Sequence, residues 1–584
     1  MKKLLTGNEA FAYGAYLAGV QLAAAYPGTP STEIVKNCAT YDTIFAEWSP
    51  NEKVSLDVAT GAAYAGRRAL CAMKHVGMNV AADSLFSASY TGVKGGLVII
   101  NADDPGMHSS QNEQDNRNYA KFARVPMLEP ADSEEAKNFV GIALEMSEQY
   151  DTPVIIRTTT RLSHSRTLVE MDDSKRVIPS AETPAYERNI PKYVMVPANA
   201  RRRHPVVEER LQKLAALAET IEINKIEPGD DEIGIITSGV IYQYAKEVFP
   251  TATILKLGMV WPLPKQMILD FAKRVKKLVI IEELDPIFED FIRLLGLPCV
   301  GKEVYPIEGE FNPSLIREVS YKAGLLKEQP PTVSTADIEL PIRPPMLCPG
   351  CGHRGLFYAL KRLDATVFGD IGCYTLGASP PLAAMHTTTC MGAGFGVVHG
   401  VDKMGVTDRT VGLLGDSTFF HSGIHPMIDI LYNSGTSTLV ITDNRTTAMT
   451  GHQDNPGSGK TLLGEPAERM DIETVVRGLG AKRVDVVNPY EVDQVMKVVK
   501  EGIESGEPSV VIARYPCVLQ TKEKHPVPTV DTETCNNCGT CLKIGCPPIV
   551  KGENHVAIDN ILCNGCGLCV TVCPFNAIKK PEEQ

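Results

Sequence analysis

Unbroken apolar runs alternate with amphipathic stretches along most of this chain. Gly95–Asn101 (GGLVIIN) is apolar without alternation, the pattern of a strand buried on both faces. Glu134–Gln149 places its apolar residues at helical spacing, and Thr152–Thr158 (TPVIIRT) reads as the next buried strand. Strand, helix and strand in that order predict a parallel sheet covered on both sides. The signal returns in Ile233–Gly239 and Lys277–Glu283, inside a smaller unit spanning 230–325. It returns again in Thr410–Asp416, Ser437–Asn444 and Ser509–Tyr515.

Between these blocks the pattern fades into Pro- and charge-rich stretches. One covers 170–206 and holds the triplet Arg201, Arg202 and Arg203, read as a solvated face. The others are Gln329–Pro345 and Lys522–Val530. The expected organisation is a large α/β domain at 1–170, a linker or crossover at 171–228 and a small α/β domain at 229–328. A second large α/β domain follows at 346–522, then a Cys-rich domain at 530–584. The first and third blocks read as similar folds.

Composition narrows the function. Of 584 residues, 43% are hydrophobic and 22% charged, which excludes a disordered or fibrous chain. The net charge of −12 argues against a general nucleic-acid binder. No run reaches the ~18 apolar residues of a membrane span. Gly7, Asn8 and Glu9 break the short apolar run after Lys2 and Lys3, so no signal peptide is read and a cytoplasmic protein is expected. Sixteen cysteines are present, and eight of them cluster between Cys535 and Cys573, which argues for metal rather than disulfides.

Those eight form two runs. Cys535, Cys538, Cys541 and Cys546 precede Pro547; Cys563, Cys566, Cys569 and Cys573 precede Pro574. The second run has the bacterial ferredoxin spacing, and the first has one extra residue before its last cysteine. In two-cluster ferredoxins the fourth cysteine of each run crosses to the other cluster. That predicts one [4Fe-4S] cluster on Cys535, Cys538, Cys541 and Cys573, and a second on Cys563, Cys566, Cys569 and Cys546. Zinc sites favour two CxxC pairs with a longer spacer.

Gly415-Asp416-Ser417 closes one apolar run, and Asp443-Asn444-Arg445-Thr446 closes a later one. Both fall where open α/β sheets bind ligands, beyond the carboxyl ends of strands. Asp and Asn offer the hard oxygens that Mg2+ shares with phosphates. The pair resembles the thiamine-diphosphate signature, with Ser417 replacing a glycine. Two ordinary strand-end turns would look much the same. A second segment, Tyr26-Pro27-Gly28-Thr29-Pro30-Ser31-Thr32-Glu33, is a Gly/Pro-rich turn opening a helix whose N-terminus suits an anion. Asn51-Glu52-Lys53-Val54 and the small-residue stretch Thr60–Gly66 follow it. Together they resemble the pyrimidine-side domain of 2-oxoacid:ferredoxin oxidoreductases. By that resemblance Glu52 faces the aminopyrimidine ring, with Glu47 as the nearest rival carboxylate, and Thr29 meets the substrate carboxylate.

The motifs Lys74–Asn79 (KHVGMN), Asp103–Gln111 (DDPGMHSSQ) and Cys348-Pro349-Gly350-Cys351 complete the likeness. Across essentially all of its length the chain resembles the thiamine-diphosphate-dependent 2-oxoacid:ferredoxin oxidoreductase family, and within it the large (alpha) subunit type that acts on indolepyruvate. The resemblance implies two thiamine-type parallel-sheet domains, a small domain like the transketolase C-terminal one between them, and a two-cluster ferredoxin-like domain. The reaction it implies converts indolepyruvate, CoA and oxidised ferredoxin to indoleacetyl-CoA, CO2 and reduced ferredoxin. It implies thiamine diphosphate and Mg2+ on Gly415, Asp416, Ser417, Asn444 and Thr446, with His421 near the diphosphate and Asp416 and Asn444 as metal ligands. It further implies a third [4Fe-4S] cluster near thiamine on Cys348, Cys351, Cys373 and Cys517. The plainer alternatives for these four are a redox CxxC dithiol or buried free thiols, as expected for Cys38, Cys71, Cys299 and Cys390. His75, His108 and His353 lie near the motifs and read as structural. Expected partners are a smaller beta subunit in an α2β2 assembly and ferredoxin, with no nucleic acid and no membrane. Rival functions are the same chemistry on pyruvate or another 2-oxoacid, a non-oxidative decarboxylase, and an electron-transfer subunit with inactive thiamine domains. The presence of Glu52, Asp416 and Asn444 together argues against the last.

Overall fold

A computed structural model describes residues 1–180, 186–331, 340–341, 343–406 and 409–581. The predicted Gln329–Pro345 linker therefore falls partly outside the described residues. The chain divides into two compact units, Met1–Asp337 and Ile338–Gln584.

The first unit is built on a seven-stranded sheet. Its order is Met259–Trp261, Met127–Leu128, Val154–Thr159, Leu97–Asp103, Ala69–Lys74, Leu22–Ala25 and Phe45–Trp48. All neighbours run parallel except Met259–Trp261. The central strands are buried along their whole length, which explains their unbroken apolar runs. The helix predicted at 134–149 spans Ser133–Tyr150, with Asp132 capping the Glu135 amide. Lys2–Thr6 pairs antiparallel with Arg166–Glu170 beside this sheet.

The small domain has its own sheet, Lys277–Ile280, Ile233–Ser238, Thr253–Leu257 and Lys225–Glu227, with the last antiparallel. It begins before residue 229, and it lends Met259–Trp261 to the large sheet, so the two are stitched together. The segment 171–228, expected as a linker or crossover, carries a 22-residue helix, Pro197–Ala218. Pro205 within it hides the helical signal. Burial of Val207, Arg210, Leu214 and Ala218 overrides that local cost. Of the arginine triplet, Arg201 and Arg202 are exposed, and Arg203 pairs with Asp151 at 2.9 Å.

A buried ionic network joins the small domain to the large sheet. Arg117 holds Asp115 at 2.6 Å and Glu282 at 2.7 Å; Arg157 holds Asp103 at 2.7 Å and also pairs with Glu129. Glu283 lies beside it, and burial pushes its carboxyl up to about 8, against the opposing pull of the Phe311 amide and Arg157. The folded protein thus holds a proton there that the unfolded chain releases above about pH 4.3. Stability should therefore fall as pH rises from about 5 to 8, by up to about 1.4 kcal/mol per pH unit for this one group. Glu283→Gln should flatten that slope in urea unfolding at pH 5 to 9. An unchanged slope would assign it to other groups.

The second unit holds a six-stranded, all-parallel sheet: Thr387–Thr388, Thr366–Gly369, Thr410–Gly415, Thr438–Asp443, Ser509–Arg514 and Arg483–Val487. Thr529–Val530 pairs with Ile578–Lys579, and Ile549–Lys551 with Val556–Ile558, to make the Cys-rich domain. That domain shares one hydrophobic core with the sheet. Ile544, Leu568 and Val572 join Leu356, Phe357 and Val495 in it. No helix among the described residues is long and apolar enough to cross a membrane.

Candidate functional site

The first unit carries one candidate site at the carboxyl edge of its sheet. Neighbouring strands Phe45–Trp48, Leu22–Ala25, Ala69–Lys74 and Leu97–Asp103 end there together, so their following loops converge. After Leu22–Ala25, the turn at 26–31 is held from inside. Ser31 Oγ donates to the Gly28 carbonyl at 2.9 Å, and Asn8 Nδ2 donates to the Pro30 carbonyl at 2.7 Å. Thr29 is half-buried within this turn and precedes a cis proline. The helix it opens is short, Thr32–Cys38, and Ser31 makes no side-chain cap bond to it.

Glu52 is the first residue of the helix Glu52–Tyr64, with Asn51 capping the Val54 amide at 2.9 Å. The N-terminal position suits a carboxylate. The side chain is 5% exposed. It packs on Gly77, where an added Cβ would lie 2.6 Å from Glu52 Oε1 and 2.7 Å from its Cγ. The glycine of the KHVGMN motif is thus the floor on which Glu52 rests, a role its sequence context alone did not disclose. Gly77→Ala should displace Glu52 and lower turnover about 100-fold, the scale set by misplacing a catalytic group by about 1 Å. Steady-state kinetics on enzyme of unchanged melting temperature checks this. Glu47, the rival, is half-buried and accepts from Ser49 Oγ at 2.9 Å.

A polar web fixes the surrounding loops. Asn116 Nδ2 donates to Asn101 Oδ1 at 2.6 Å and to the His75 carbonyl at 3.1 Å. His75 is fully buried, its Nε2 3.0 Å from Asn112 Oδ1. Burial, followed by the adjacent Lys74 charge, lowers its basicity. His108 is largely exposed and faces Glu310 at 3.2 Å, a surface pair. Asp104 takes hydrogen bonds from Ser109 N at 2.9 Å, and from Ser110 Oγ and Thr160 Oγ1 at 2.6 Å each.

The second unit carries a candidate site of its own. Gly415 ends one strand and Asp443 ends its neighbour, so Asp416 and Asn444 start adjacent loops at one sheet edge. Asp416 is 3% exposed. Burial first, then the nearby Asp443 charge, pushes its carboxyl up to about 7, while the Ser417, Arg445 and Thr446 amides pull the other way. Its Oδ1 accepts from Ser417 N at 2.7 Å, and its Oδ2 is buried without a hydrogen-bond partner among the described residues. A buried carboxylate oxygen left without a donor suits a cation. Ser417 Oγ accepts from Thr447 Oγ1 at 2.9 Å, which ties the two loops together. Asn444 Oδ1 accepts from Thr446 N at 3.1 Å. His421 is buried and bonds Ser422 Oγ through Nδ1. Tyr374 bonds Asp370 and Thr418 next to Gly415, a support that sequence reasoning did not single out.

The segment 515–517 adds to this edge. Tyr515 N donates to the Asp443 carbonyl at 3.0 Å and Cys517 N to the Asn444 carbonyl at 3.1 Å. Cys517 is thereby set beside Asn444. Cys348, Cys351, Cys373, Cys517 and Asn444 line one cavity of about 100 Å3. His452 lines it too, its Nε2 buried with no partner among the described residues. Burial pushes the Cys351 thiol up to about 12 and Cys373 to about 11.

The Cys-rich domain repeats the pattern. Cys546, Cys563, Cys566 and Cys569, the quartet for which the spacing predicts a crossed fourth ligand, line a second cavity. Cys535, Cys538 and Cys573 are the cysteine neighbours that act on Cys541. Among the described residues, no group of three or more His, Cys, Asp or Glu is placed to hold a single metal ion. The first two quartets instead surround voids. Arg354 joins these cavities: it donates to the Cys348 carbonyl at 2.9 Å and to the Gly545 carbonyl at 2.5 Å. Gly350, between Cys348 and Cys351 in the chain, lines the second cavity against Asn564.

The remaining cysteines depart from expectation in part. Cys38 and Cys71 are buried, but Cys299 is half-exposed and Cys390 is exposed. Cys390 lies in the loop after Thr387–Thr388, where no sheet covers it. His353 is buried with its ring edge-on to Tyr374, and burial holds its basicity down to about 4.

Comparison with known proteins follows the same division. The family described as pyruvate flavodoxin/ferredoxin oxidoreductase, thiamine diP-binding, matches residues 13–223. The thiamine pyrophosphate enzyme C-terminal TPP-binding domain matches 370–513, and the 4Fe-4S binding domain matches 556–579. The last covers only the second cysteine run; the first, with its extra residue, lies outside it. The chain is 40% identical to the indolepyruvate oxidoreductase subunit IorA of Archaeoglobus fulgidus, over 99% of this chain and 97% of that one. It is 38% identical to the subunit IorA of Pyrococcus horikoshii, over 100% and 97%. A solved 2-oxoglutarate:ferredoxin oxidoreductase from Magnetococcus marinus aligns at 18% identity and a TM-score of 0.46, over 55% of this chain and 65% of that one.

Proposed function

This chain belongs to the family of the indolepyruvate oxidoreductase subunit IorA, and from that footing we propose that it oxidises arylpyruvates. The reaction joins indolepyruvate, CoA and oxidised ferredoxin to give indoleacetyl-CoA, CO2 and reduced ferredoxin. The chain is a 2-oxoacid:ferredoxin oxidoreductase subunit with thiamine diphosphate-binding and 4Fe-4S domains. Its family name as a subunit supports a smaller partner chain, and we take the assembly to be α2β2.

The observation that carries the reading is the shared cavity in which Cys348, Cys351, Cys373 and Cys517 meet Asn444. A carbon-oxidising site then adjoins a one-electron sink. Thiamine diphosphate, when bound, supplies the carbanion chemistry that decarboxylates a 2-oxoacid. The residues present fit it. Asp416 and Asn444 offer oxygens for Mg2+, with Asp416 Oδ2 unpartnered. Gly415, Ser417 and Thr446 surround the diphosphate position, and His421 lies on the same turn. Glu52 is the carboxyl that exchanges a proton with the pyrimidine ring. Thr29 contacts the substrate carboxylate. The quartet at Cys348 would hold the third cluster, Arg354 keeps its loop against the Cys546 quartet, and clusters on the Cys348, Cys546 and Cys535 quartets would supply one-electron transfer.

The test is anaerobic viologen reduction by the chain co-expressed with its partner subunit. Indolepyruvate, phenylpyruvate and pyruvate are each compared with and without CoA. CoA-dependent reduction favouring the aryl acids is expected. Preference for pyruvate would keep the reaction and overturn the substrate. No reduction by enzyme replete in iron and thiamine would leave an electron carrier.

A further inference from the structure

The 2-oxoacid substrate brings a negative charge into the first unit, and its acyl-CoA product no longer carries that carboxylate. A buried cation reserved for that charge should have no anion of its own. Most buried cations here are already committed: Arg117 to Asp115 and Glu282, Arg157 to Asp103 and Glu129, Lys256 to Glu135. Lys74 is different. It is the last residue of the strand Ala69–Lys74, 9% exposed, at the sheet edge where the Thr29 turn and the Asp104 loop meet.

Its stem lies against that turn. A Cβ on Gly28 would be 3.1 Å from Lys74 Cβ and 3.9 Å from its Cδ. Its ammonium donates to the Ser109 carbonyl at 2.6 Å. Among the described residues it forms no ion pair within 4.0 Å. An ammonium has three protons to donate, and one is used. Asp104 and Glu52 are the acidic neighbours that act on it from farther away. Asp104 accepts from Ser109 N, Ser110 Oγ and Thr160 Oγ1, so its loop has three holds besides the Lys74–Ser109 bond. Burial accordingly lowers the basicity of Lys74. A buried ammonium so placed is destabilising unless an anion arrives. His75, the next residue, is buried with lowered basicity and is engaged by Asn112, so it does not supply the charge.

We propose that Lys74 is the cationic anchor for the carboxylate of the 2-oxoacid, gripping it beside Thr29. The assignment rests on the oxidative decarboxylation reading above and extends it to the residue that recognises the acid group. Because Ser109 keeps a share of the ammonium, the grip is a single charge-assisted hydrogen bond rather than a bidentate clamp. That suits a carboxylate that must leave as CO2.

The test uses the purified holoenzyme and two unreactive probes, indole-3-propionate and its neutral amide, with binding measured by calorimetry. Wild-type enzyme should prefer the carboxylate by ~10- to 100-fold, the worth of one charge-assisted hydrogen bond. Lys74→Met should abolish the preference by weakening the acid alone. Lys74→Arg should restore part of it, and neither variant should change iron or thiamine content. An unchanged preference in Lys74→Met, with wild-type enzyme turning over 2-oxoacids, would overturn the anchor alone. Wild-type enzyme that neither prefers the carboxylate nor turns over any 2-oxoacid would overturn both the anchor and the functional reading. Equal weakening of acid and amide in both variants would show a structural role and overturn the anchor.

Discussion

Glu52→Gln should lower turnover with every 2-oxoacid by ~100- to 10,000-fold, the range that a positioned proton-transferring group contributes. The glutamine keeps the shape, and Asn51 still caps the helix at 2.9 Å, so folding should be unaffected. Its carboxamide cannot take up and return a proton. Bound thiamine, counted in the purified variant, should stay near one per chain if the diphosphate is held by Asp416 and Asn444. The decisive reading is kcat at saturating substrate together with that count. Full thiamine with a collapsed kcat supports the role. Retained turnover would overturn the role of Glu52 and shift attention to Glu47.

Cys517→Ser should have the second large effect. Three clusters of four iron atoms give about twelve per chain, and losing one leaves about eight. The variant should show that fall, and reduction of viologen by arylpyruvate should cease. The two ferredoxin-type clusters should still be reducible by dithionite, because Cys517 is absent from both of their quartets. Wild-type enzyme with about eight iron atoms would remove the third cluster altogether. Gly77→Ala, which acts on Glu52 from the opposite wall, should leave iron at the wild-type value. The two variants therefore separate the proton-transfer site from the electron path.

Both sites were legible in the sequence to different depths. The ferredoxin cysteines were readable because thiolate spacing in one short segment carries the geometry of its cluster. The spacing predicted that Cys546 crosses to the Cys563 triplet, and the structure places those four cysteines around one cavity. Asp416 and Asn444 were readable because apolar runs predicted strand ends, and strand ends are where such sheets bind ligands. The Pro197–Ala218 helix was not readable. Pro205 and a polar composition argued against it locally, and only packing through Val207, Arg210 and Leu214 favours it. Cys390 was misjudged as buried for a similar reason: residue type predicts burial on average, and a loop decides the individual case.

From its residues alone, then, this chain determined its α/β strands, its ferredoxin cysteines and the acids of its two strand-end turns. Each of these depends on neighbours within a few turns of chain, through periodicity or ligand spacing. Tertiary structure alone decided that Gly77 supports Glu52, that Cys517 lies beside Asn444 and that Lys74 is buried with no ion pair among the described residues. Those relations join residues 25 to 73 positions apart or depend on how strands are ordered in a sheet. Local sequence carries no record of such distances, because sheet order is set by burying every strand's apolar faces at once.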